Sequence, residues 1–131
     1  MDLPDMPLLS MLRQKMNWLN QRQNVLSQNV ANADTPNYVA RDLKPVDFSQ
    51  MLKDAGPSQM TVTNARHIAI SPSSTGAFED YATPGDASPD GNAVSLEQEM
   101  IKVADTQAQF QAATNLYAKA IGMLRTAIGQ P

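Results

Sequence analysis

The chain has 131 residues, 42% of them hydrophobic but only 5% aromatic, with a formal net charge of -3 and no cysteine. That length suits a single packing unit, and the missing cysteine rules out disulfides and thiolate metal sites. The basic residues are too scattered to form a surface for nucleic acid, and no apolar run nears the roughly 20 residues of a membrane span.

The acidic opening Met1-Asp2-Leu3-Pro4-Asp5 lacks the basic region of a secretory signal. Taken alone, it implies a cytoplasmic chain, unless an export route without a cleavable signal carries it out. From about Pro7 to Asn32 the spacing predicts one amphipathic helix. Leu9, Leu12, Met16, Leu19, Gln23, Leu26, Val30 and Ala33 alternate by three and four, the heptad interval, and only Gln23 interrupts the apolar seam. Arg13, Gln14, Lys15, Asn20, Gln21 and Arg22 read as its polar outer face. Pro4 and Pro7 suit a first turn and Asp5 an N-cap.

Pro36 disfavours the α conformation at Thr35, so this helix should end by about Asp34. Thr35-Pro36-Asn37-Tyr38 then fits a type II turn, with Asn37 at the position that needs positive φ. Asn29 and Asn32, three apart on one face, are placed to satisfy the last helical carbonyls. Arg41 to Val94 holds most of the Pro, Gly, Ser and Asp. Within it, Asp47 to Leu52 reads as a short capped helix closed by Gly56, and Met60–Val62 and His67–Ile70 as short strands. Residues 71–92 read as loop.

The C-terminal segment repeats the heptad theme. Leu96, Met100, Val103, Gln107, Phe110, Thr114, Tyr117, Ile121, Leu124 and Ile128 alternate by four and three, and Ser95 with Gln98 forms a capping-box signature ahead of them. The resulting division is an N-terminal heptad helix (1–35), a loop-rich middle with the turn (36–94) and a C-terminal heptad helix (95–131), together one mainly α structural unit.

No residues suggest catalysis. His67 is the only histidine and has no metal-spaced partner. Glu97 and Glu99 lie two apart on a helix and cannot face each other, and no glycine spacing matches a phosphate loop. Neither cofactor nor metal is expected. The two helices could close on themselves as an antiparallel hairpin. However, Leu8, Met11, Trp18 and Val25 form a second apolar row on the first helix, and Ile101, Ala108, Leu116 and Met123 do so on the last. Each Leu or Met left in water forgoes roughly 1.5–3 kcal/mol, which favours partners beyond the chain.

Asn29, Asn32, Thr35 and Tyr38 match an Asn-x-x-Asn-x-x-Thr-x-Gly-Tyr pattern, with Asn37 standing where glycine is usual. In this the chain resembles the flagellar rod and hook proteins. Ala33-Asp34-Thr35-Pro36, Arg41-Asp42 and Asp47-Phe48 make it similar to the FlgB family among them, as do the segments Thr63–Ile68 and Asp90–Met100. The resemblance implies a structural subunit of the proximal rod of the basal body, exported without a cleavable signal, whose terminal helices pair as a coiled coil. It also implies as neighbours further FlgB copies, FlgC, FlgF, the adaptor FliE and the export-gate proteins FliP and FliR. Leu9, Leu12, Met16, Leu19 and Leu26 are then expected to pack against Met100, Val103, Phe110, Tyr117, Ile121 and Leu124, within and between subunits. The sister subunit FlgC and a cytoplasmic coiled-coil adaptor stand as alternatives.

Overall fold

The computed structural model describes residues 6–50, 78–83 and 93–129. The expected strands at 60–62 and 67–70, the proposed caps before Met6 and the helix end at Gly56 lie outside the described residues. The elements in chain order are α1 (Pro7–Ala31), β1 (Arg41–Leu43), β2 (Asp80–Ala82) and α2 (Leu96–Ala127).

Both long helices form where the heptads predict them. Pro7 starts α1, behind a Met6 N-cap that contributes no side-chain hydrogen bond. At the other end Asn32 Nδ2 donates to the Gln28 carbonyl at 2.8 Å, so one of the two asparagines does cap the helix. Ser95 occupies the N-cap position of α2, but its hydroxyl caps nothing, so the capping box is not formed. Glu97 and Glu99 still place negative charge against the positive end of that helix.

The helices pair antiparallel. Leu9 lines a groove with Ala120 and Leu124 near one end, and Asn29 meets Glu99 near the other. On α1 the buried row is as expected: Leu9, Leu12, Leu19 and Leu26 are at most 2% exposed. On α2 it is shifted by one residue. The deepest row is Glu99, Thr106, Ala113 and Ala120, each seven apart, while Met100 is 59% and Phe110 41% exposed. Small residues face the leucines of α1, and that is what brings the helices close. Thr106 tolerates burial because its hydroxyl donates to the Lys102 carbonyl at 2.7 Å.

β1 and β2 form a two-stranded antiparallel sheet with Arg41 opposite Ala82, Asp42 opposite Tyr81 and Leu43 opposite Asp80. β2 lies within the stretch read from sequence as loop; three residues with a single aromatic give too short a pattern to register there. The sheet lies against α1. Trp18 and Leu19 cluster with Leu43 and Ala113, with Val25, Val46, Phe48 and Phe78 packed alongside. The Trp18 indole N–H donates to the Lys44 carbonyl at 3.0 Å, and its ring meets Phe48 edge-on with centroids 6.3 Å apart. Part of the second apolar row of α1 is therefore covered by the chain's own middle segment. Among the described residues nothing covers the corresponding row of α2, with Ile101 69%, Leu116 47% and Met123 57% exposed.

Candidate functional site

Tyr38, Arg41 and Glu99 converge on Asn29, which is fully buried. Its Nδ2 donates to the Arg41 carbonyl at 2.6 Å and to Glu99 Oε2 at 2.7 Å. Its Oδ1 accepts the Arg41 backbone N–H at 3.0 Å and the Tyr38 hydroxyl at 3.2 Å. Both donors and both lone pairs of the amide are in use. One side chain thereby ties the end of α1 to the turn, to β1 and to α2. Glu99, itself 3% exposed, receives the Lys102 ammonium on its other oxygen at 2.8 Å, so its buried charge is balanced.

The turn has the predicted form. The Tyr38 N–H donates to the Thr35 carbonyl at 3.3 Å, and Asn37 at φ 63° is the only described non-glycine residue with positive φ. Thr35 is held in turn, its N–H donating to the Asn32 carbonyl at 2.9 Å and its hydroxyl to Asn32 Oδ1 at 3.2 Å. Asp34 and Pro36 are exposed. Arg41 reaches outward to Asp80 across the sheet at 3.0 Å.

A second lock lies one heptad earlier. Arg22, assigned from sequence to the polar face, grips the buried Asp42 in a two-pronged pair at 2.9 and 3.0 Å. Its third nitrogen sits 3.8 Å from Asp105 on α2, and the guanidinium lies over the Trp18 ring at 5.5 Å. The hydrogen bond to Asp42 raises the guanidinium pKa above its usual value despite desolvation, so Arg22 stays charged. Asp42 also accepts the Leu43 N–H at 2.8 Å. Sequence reading missed Arg22 and Glu99. The available signals were that Arg22 lies seven residues before Asn29 on the same flank, and Glu99 seven before Thr106.

The remaining expected interface residues split by exposure. Met16, Val103, Tyr117, Ile121 and Leu124 are half-buried beside the seam, whereas Met100 and Phe110 project from it. Among the described residues no group of His, Cys, Asp or Glu could hold a metal ion, and no helix is long and apolar enough to cross a membrane.

Residues 15–38, most of α1 together with the turn, match the family model described as flagella basal body rod protein. The chain is 35% identical over 108 residues to the flagellar basal body rod protein FlgB of Salmonella typhimurium, covering 76% of each chain. It is 38% identical over 110 residues to that of Escherichia coli K12, again 76% of each, and 34% identical over 108 residues to that of Cereibacter sphaeroides, 82% of each. The chain belongs to the FlgB family. The rod-protein match spans both locks on α1, with Arg22 and Asn29 inside it together with Asn32, Thr35 and Tyr38. The stretch that characterises the rod proteins in this chain is thus the one that fastens the middle segment to the helical hairpin.

Proposed function

We propose that the chain builds the basal-body rod as a mechanical subunit: its helical hairpin forms the inner part of the rod, and the locked middle segment is carried outside it. Membership in the FlgB family makes it a structural rod subunit, and the relatives found favour this over the sister subunit FlgC or a cytoplasmic adaptor. The observation that carries the proposal further is the Asn29 hub. It fixes the exit angle of the chain where α1 ends, as a subunit that must present two different surfaces requires. The bare apolar row of α2 supports packing against further subunits. Torque is then shared by many helix contacts, and the hairpins line the export channel. We assign no catalytic role. The expected neighbours are other copies, FlgC and FlgF along the rod, FliE at its base and the export-gate proteins FliP and FliR. The site of action is the periplasmic rod, reached through flagellar export without a cleavable signal.

The test is complementation. Cells lacking the chain should not swim, the intact chain should restore swimming, and it should be found in purified basal bodies. Swimming without it would overturn the proposal.

A further inference from the structure

The hairpin has a covered side and an open one. On the covered side lie β1, Trp18 and Arg22. On the other, two grooves follow one another between α1 and α2, one of about 430 Å³ around Asn20, Gln23 and Phe110 and one of about 280 Å³ around Val30, Met100 and Val103. Nothing among the described residues covers them. Their linings carry no charged residue. The side-chain oxygen Oε1 of Gln23, shut off from solvent, accepts no hydrogen bond within the described residues. Along this side runs the bulky heptad row of α2 that the hairpin seam leaves half free.

Residues 106–118 of α2 supply the complement, with no charged side chain on any face over thirteen positions in a chain that is 18% charged. The outward face of that stretch carries Ala104 just before it, then Ala108 and Asn115, all exposed, with Gln111 at the rim where this face meets the groove. Gln111 donates to Asn115 Oδ1 at 3.2 Å, which leaves the Asn115 NH₂ pointing its donors elsewhere. An exposed helix is ordinarily charged on its outer face. This one is suited to lie against a surface as free of charge as itself, and the open groove is such a surface.

We infer that the open groove of one copy receives the outward face of α2 from a second copy, small alanines giving close approach and an amide meeting the Gln23 carboxamide once it turns outward. The two surfaces differ, so the contact is head-to-tail and each copy keeps one free groove and one free face, the arrangement that extends into a helical filament. This rests on the rod-subunit reading and specifies the surfaces it would use.

Because the chain has no cysteine, the contact can be trapped. Chains carrying Asn20→Cys with Ala104→Cys, Ala108→Cys or Asn115→Cys are expressed as the sole copy, and basal bodies are isolated under reducing conditions and then oxidised. A disulfide closed within one chain would leave a monomer, so a ladder reports contact between copies. A ladder of covalent multimers from at least one pair is expected. Monomer alone from all three, with the chain present in the basal bodies, overturns the inference and leaves the rod reading intact; absence of the intact chain from basal bodies removes both. As a second measurement, Gln23→Leu should melt no lower than the intact free chain, yet be incorporated about tenfold less in competition with it, the effect of about one hydrogen bond. Equal incorporation contradicts the contact.

Discussion

Replacing Asn29 by alanine removes four hydrogen bonds at a fully buried position. The Glu99 carboxylate loses its bond from α1, and the backbone N–H and carbonyl of Arg41 lose their side-chain partner. A hydrogen bond to a charged group contributes about 1.5–3 kcal/mol, and a buried polar group left unpaired costs about 1–3 kcal/mol. Allowing for overlap between these, Asn29→Ala should destabilise the free chain by about 3–5 kcal/mol. With a urea slope of about 1.5 kcal/mol/M the unfolding midpoint should fall by about 2–3 M, followed by circular dichroism. A cycle with Glu99→Gln should show coupling of about 1–2 kcal/mol between the two residues. A shift worth less than about 1 kcal/mol, or additive single effects, would refute the idea that this amide joins the hairpin to the middle segment.

Four further outcomes follow from the same geometry. Arg22→Leu should cost about 3 kcal/mol by stranding buried Asp42, seen in the same urea titration, whereas Lys119→Leu on the exposed face of α2 should cost well under 1 kcal/mol. Gly122→Ala should raise the melting temperature by a few degrees, since a Cβ there meets nothing within 4 Å and helical glycine costs about 1 kcal/mol against alanine. Leu19→Asp should abolish swimming and helical structure together, because it places a charge at a position with 0% exposure. Two exposed carboxylates are held below their ordinary pKa, Asp47 mainly by the Ser49 hydroxyl and Glu79 mainly by Lys44. Their folded values lie below the unfolded ones, so their stabilisation is full above the ordinary carboxylate range and disappears as pH falls through the depressed values. The melting difference between the intact chain and Asp47→Asn, measured from neutral pH down to acid, should shrink accordingly.

Much of the hairpin could be read from the residue order, and the parts that could not have physical causes. On α1 the leucines are both the most apolar and the most buried residues, so the heptad count lands on the true seam. On α2 the two properties separate. Close packing against leucine selects Ala113, Ala120 and Thr106, while the bulky Met100 and Phe110 sit one position round the helix. A search for large apolar residues therefore finds the neighbouring row. The turn was legible because Pro36 and Asn37 act locally, through their own backbone preferences. The roles of Arg22 and Glu99 depend on Asp42 and Asn29, 20 and 70 residues away, and no local pattern encodes such pairings. Trp18 reads as apolar from sequence, but its neighbour Leu43 in β1 is 25 residues away, so spacing along α1 alone points to a second chain as the cover of its row.

The most direct test of a hairpin rod subunit is a cryo-EM map of basal bodies purified from cells that make this chain. Paired antiparallel helices should stand in the inner wall of the rod, with Asn29 and Glu99 in contact and the middle segment leaving outward beside Tyr38. A rod whose map accommodates no such hairpin, or basal bodies without this chain, would contradict it.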